Sequence, residues 1–157
     1  MDLSHGVYRR TTALILLLTV SGWADPTFGT WTINWARSTV GSDPRRKRFT
    51  IRIESHAKGE VFTLDRIEAD GRATTSSTLL YLDGKLRDFH DLACSGTQSS
   101  RRVDSQTMEI LRTCANGGWI RLVRRSSTKP NELVLEITEQ QAGGRRFERH
   151  LVLEKLR

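Results

Sequence analysis

Few residues in this 157-residue chain have the type and spacing that chemistry needs. The chain holds two cysteines, Cys94 and Cys114. They are not a CxxC redox pair, and two thiols alone make a poor zinc site. In an oxidising compartment an even pair is expected to form a disulfide. His56, His90 and His150 are far apart, with no His-x-His or His-Glu-x-x-His spacing, so no metal site is expected. His90 sits in Asp88-Phe89-His90-Asp91, flanked by carboxylates. That setting suits either a general base or a solvated turn, and no nucleophile motif accompanies it. There is no Gly-x-Ser-x-Gly, phosphate loop or dinucleotide fingerprint. The chain is therefore expected to be no enzyme, with no catalytic residue and no cofactor.

Charge is the other chemical resource. The formal net charge is +7, mostly from arginine. Doublets recur at Arg101-Arg102, Arg124-Arg125 and Arg145-Arg146. On a strand, one member of each pair faces out. If the outward members align, they form a stripe able to attract polyanions; otherwise they are ordinary solvated charges.

The elements that must carry these residues are strands. Turn chemistry punctuates the chain at Lys58-Gly59, Asp70-Gly71, Asp83-Gly84, Asn116-Gly117, Pro130-Asn131 and Gly143-Gly144, and Asn-Gly and Asp-Gly are strong hairpin signals. Between the turns, apolar and polar residues alternate with a period of two, as in Phe49, Ile51 and Ile53 or Leu133, Leu135 and Ile137. Strands are predicted at 28–35, 47–56, 60–69, 72–82, 107–115, 118–125, 132–140 and 145–155, with shorter ones near 85–90 and 97–103. Residues 36–46 and 91–106 are expected to be irregular. The fold class is all-β: an antiparallel up-and-down meander of about 8–10 strands. Closing it into a barrel removes the edges and buries the apolar face. A two-sheet sandwich is the runner-up.

Residues 1–24 read as a cleavable secretory signal. Arg9 and Arg10 precede the apolar run Ala13–Val20, and Gly22 and Ala24 are small residues at the two positions a signal peptidase inspects. A membrane-spanning helix needs about 20 apolar residues, roughly twice this run, so no transmembrane anchor is expected after cleavage. Residues 25–157 then form a single domain in the periplasm or outside the cell. Export argues against intracellular nucleic acid as a partner, and an acidic envelope polymer suits the arginines better. Oligomeric state is not legible.

The first strand of that domain reads Phe28-Gly29-Thr30-Trp31-Thr32-Ile33-Asn34-Trp35-Ala36-Arg37-Ser38. It resembles the Gly-x-Trp opening strand of the calycins, the group of lipocalins and fatty-acid-binding proteins, and more closely that of small exported bacterial lipocalin-like proteins. The resemblance implies a lipocalin-like barrel that binds a small, mostly apolar ligand without catalysis. Trp31, Trp35, Tyr81 and Trp119 are candidates to line its interior. It also implies that a basic residue near the C-terminus packs across the strand-one Trp, and Arg149 is the candidate. Arg149 shares a face with Phe147, Leu151 and Leu153. Its guanidinium either stacks on Trp31, holds a ligand carboxylate as late-strand arginines do in fatty-acid-binding proteins, or turns to solvent. Residues 36–46 are too short for the helical lid of those proteins. The alternative function is a filled barrel docking a protein or acidic polymer through its arginine surface.

Overall fold

Each alternating run becomes a strand, and each turn pair except Asp83-Gly84 becomes a hairpin. The computed structural model describes residues 25–41, 45–91 and 94–157; the expected signal at 1–24 lies outside them. Ten strands follow in chain order: β1 (Gly29–Ile33), β2 (Arg48–His56), β3 (Gly59–Ile67), β4 (Ala73–Leu80), β5 (Arg87–His90), β6 (Ser95–Arg102), β7 (Thr107–Cys114), β8 (Trp119–Ser126), β9 (Glu132–Gln140) and β10 (Arg146–Lys155). All pairings are antiparallel, and no helix occurs among the described residues.

The sheet order is β4-β3-β2-β1-β10-β9-β8-β7-β6-β5. This is one continuous sheet, so the sandwich alternative fails. The sheet curls until the inward faces of β1, β2, β3, β4, β7, β9 and β10 share one hydrophobic core. Closure by backbone pairing is incomplete. β4 and β5, consecutive in the chain, are the two ends of the sheet and do not pair. Below them, residues 82–84 stitch the edges together: Gly84 N–H donates to Ser100 O at 2.8 Å, and Leu82 N–H to Ser100 Oγ at 3.1 Å.

Residues 91–106 were expected to be irregular around a shorter strand near 97–103, and that strand is full length: β6 pairs on both sides. Its sequence, SGTQSSRR, holds no large apolar residue. Its inward positions are polar, so no hydrophobic alternation marks it. In the loop after β1, Thr39 exchanges backbone hydrogen bonds with His150 at 2.7 and 2.9 Å, which lays that segment against β10.

The two cysteines form a disulfide, with Cα atoms 5.5 Å apart. Cys94 directly precedes β6 and Cys114 ends β7, so the bridge clamps one end of that ladder. Breaking it as Cys94→Ser/Cys114→Ser should cost about 3 kcal/mol on the chain-entropy model, read as a lowered urea midpoint. An unchanged midpoint would contradict that.

Several carboxyls are held below their ordinary range. For Glu132 the Arg37 guanidinium is the main cause, with the Ser127 hydroxyl second. For Asp83 it is the Arg87 guanidinium, and for Asp104 the Gln106 backbone amide. Burial would raise Glu109, but Arg101 and Arg121 together outweigh it. With folded pKa values below the unfolded value of about 4, the unfolded chain takes up protons first as pH falls. Stability should therefore be level from neutral pH to about pH 5 and fall through the carboxylate range below that. Urea midpoints at pH 7, 5, 4 and 3 check the sign; a midpoint that holds at pH 3 would refute it.

Candidate ligand-binding cavity

Register assigns the inward face of every strand, and that face changes character along the barrel axis. One end is solid. Trp31, Ile53, Leu80, Met108, Leu133 and Leu153 are all at most 2% exposed there. Residues Asp25–Phe28 cap this end: Trp31 Nε1–H donates to Thr27 O at 2.9 Å, Lys155 Nζ to Pro26 O at 3.1 Å, and Arg102 pairs with Asp25 at 3.2 Å. Inside the cap, Arg124 on β8 forms a two-pronged ion pair with Glu60 on β3, at 2.5 and 3.0 Å. Both side chains are almost fully buried.

The other end is hollow, with a cavity of about 540 Å³. Its apolar wall comes from Ile33, Ile51, Leu122, Leu135, Ile137 and Leu151. The facing wall is hydroxylated: Ser76 and Thr78 on β4, Gln98 and Ser100 on β6. Gln98 Nε2 donates to Thr78 Oγ1 at 3.3 Å, a side-chain bridge across the split between the sheet's two edges. Residues from both faces of β4 and β5 border the cavity, Ser77 and Leu79 with Ser76 and Thr78, and Asp88 and His90 with Arg87 and Phe89. The cavity therefore reaches the outside between those strands.

Guanidinium groups ring the polar side, and most have acid partners. Arg112 pairs with Asp91 at 2.9 Å, donates to Gln98 Oε1 at 2.7 Å and lies 4.9 Å from the Phe89 ring centroid. Burial pulls its pKa below the ordinary arginine value, opposed by Asp91; an arginine remains charged at neutral pH even so. Arg87 is held by Asp83 and stacks on Tyr81 at 3.8 Å. Arg149 pairs with Glu139 at 3.0 Å, and Arg46 with Glu68 at 3.1 Å.

Trp35, Tyr81 and Arg149, among the residues anticipated from sequence, border this cavity. Trp31 and Trp119 do not. Trp31 is the plug of the solid end. Trp119 precedes the inward Ile120 on β8, so its side chain takes the outer face with Arg121. The residue packed across Trp31 is Lys155, with Nζ 5.3 Å from the ring centroid, and not Arg149. Trp31 and Lys155 are register partners, whereas Arg149 lies opposite Ile137, further up the barrel. Gly29 makes the packing possible: a Cβ there would fall 2.6 Å from Lys155 Cε. Arg112, Arg66 and the hydroxyl wall escaped sequence reasoning because inward polar residues on a strand read as a solvent face.

The outward arginines are largely matched by neighbouring acids. Arg101 and Arg121 share Glu109, Arg125 pairs with Glu136, and Arg146 with Glu148. His56 and His150 are exposed on the barrel exterior, and His90 is exposed at the cavity rim.

No family model matches the chain, and no curated protein matches it in sequence. Solved structures do match in fold. The zebrafish ileal bile acid-binding protein, crystallised with cholic acid, superposes with a TM-score of 0.53 at 13% identity, covering 83% of this chain and 99% of that one. The secretory abundant heat soluble protein 4 of Ramazzottius varieornatus gives 0.52 at 8% identity, covering 85% of this chain and 97% of that one. At these identities the likeness is one of fold, and it places the chain's architecture with the lipocalin-like and fatty-acid-binding-protein-like barrels.

Proposed function

We propose that this protein is an exported binding barrel that takes up one small, mostly apolar molecule and does no chemistry on it. The observation that carries this reading is the cavity itself. A concave space of about 540 Å³ with one apolar wall falls in the range that holds small ligands, and polar groups on the opposite wall would orient one. Cholic acid in the similarly folded zebrafish protein is a ligand of that kind. Trp35 and Tyr81 would flank the ligand, while Trp31 and Trp119 keep structural roles. Export is supported by the signal-like leader and by the Cys94–Cys114 disulfide, which suits an oxidising compartment. The ties from Asp25 and Pro26 to Arg102 and Lys155 let the barrel begin where the leader is expected to be cut.

The test uses the secreted form and a neutral probe, N-phenyl-1-naphthylamine. Saturable uptake of one dye per chain is expected, with a change in Trp emission that Trp35→Phe reduces. Emission that rises linearly without saturating would count against the reading.

A further inference from the structure

We propose that the ligand of this cavity carries an acid group, held on the β3 wall by Arg66. The proposal rests on the reading that the cavity binds a ligand. The other arginines that border the cavity have acid partners: Arg46 has Glu68, Arg87 has Asp83, Arg112 has Asp91 and Arg149 has Glu139. Arg66 also borders the cavity, and its Nε is buried with no hydrogen-bond partner among the described residues. Arg66 and Thr74 are register partners on adjacent strands. Thr74 Oγ1, on the same face of the sheet, is likewise buried and unpartnered among the described residues. The neighbouring acid, Asp65, follows the opposite face of β3 and accepts from Thr75 at 2.6 Å.

A buried donor without an acceptor costs free energy that a bound acceptor would recover. The Arg66 guanidinium offers a fixed charge and a planar fork of donors. That set fits a carboxylate or a phosphate monoester better than a neutral oxygen. The acid would then sit on the β3 side of the cavity, away from Arg149, where Glu139 already answers the charge. Its apolar body would lie against the facing wall of Ile137, Leu135 and Leu151.

Displacement of N-phenyl-1-naphthylamine from the secreted protein tests this with three competitors of one chain length: dodecanoate, dodecyl phosphate and dodecanol. Either acid should displace the dye at concentrations at least about tenfold below the alcohol, the advantage of a charge-assisted bond. The carboxylate and phosphate arms show which acid is preferred. Arg66→Met should erase the advantage while dye affinity stays within about twofold. Arg66→Gln gives the same readout if the methionine variant melts early. Arg125→Gln, which removes the same charge from the outer face, should keep the advantage. Acids no better than the alcohol on the wild type, or an advantage that survives Arg66→Met or is lost equally in Arg125→Gln, would overturn the proposal alone. A dye that fails to bind overturns the cavity reading, and this proposal with it.

Discussion

Arg124→Met should destabilise the fold by about 3–5 kcal/mol, the range for breaking one partner of a buried ion pair. The pair spans the barrel interior from β8 to β3, and its side chains are 2% and 1% exposed. In the variant, Glu60 would keep a charge in the packed interior beside Leu80 with the Arg124 guanidinium gone. It must then ionise unpaired or take up a proton, and either route costs stability. Glu60→Leu should cost as much, because it strands the guanidinium instead. The double variant Glu60→Leu/Arg124→Met should regain most of the loss, since apolar residues of similar volume replace a buried pair well. Urea unfolding of the four proteins yields the coupling energy directly. Additive single-variant losses, or a loss below about 1 kcal/mol for Arg124→Met, would mean that the pair is solvated and not a tie.

That pair also marks the boundary of what could be read in advance. Arg124-Arg125 was visible as a doublet with one member pointing in, but which one depends on register. Register is settled by pairings such as Arg124 with Leu135 and Met108. Glu60 follows a glycine in a turn and looks like a surface residue. The strands with apolar alternation, β2, β3, β9 and β10, were legible to within a few residues, because a half-buried strand writes its burial into the sequence. β6 was legible only as a shorter strand near 97–103, since its inward face carries Gln98 and Ser100. The same physics explains the site. Aromatics were taken as cavity lining because they are large and apolar, yet Trp31 serves better as a plug, and the wall opposite the apolar one is built from hydroxyls. The disulfide was legible from cysteine parity and compartment alone. The partner of Trp31 was misjudged because Arg149 and Lys155 share one face of β10, and only the pairing with β1 says which lies over the ring.

Filling the cavity gives the sharpest separation between binding and folding. Leu122 lies on β8 between Ile110 and Ile137 in the ladder, and all three border the cavity. Leu122→Trp should drive an indole into the hollow, not into packed core, because the solid part of the interior lies at the Trp31 end. Overpacking usually costs about 1–3 kcal/mol when there is no room. Here the added ring meets open space and gains apolar contact with Leu135 and Leu151, so the urea midpoint should hold or rise slightly. Uptake of N-phenyl-1-naphthylamine should fall by about 100-fold or more, equivalent to the loss of about 2.7 kcal/mol of binding. Val123→Trp, one residue along, is not an equivalent control, because Val123 is itself buried at 3% exposure. Arg121→Trp is suitable: it lies on the exposed outer face of the same strand and should leave dye uptake unchanged. A Leu122→Trp variant that folds like the wild type and still binds the dye would place the ligand somewhere other than the barrel interior.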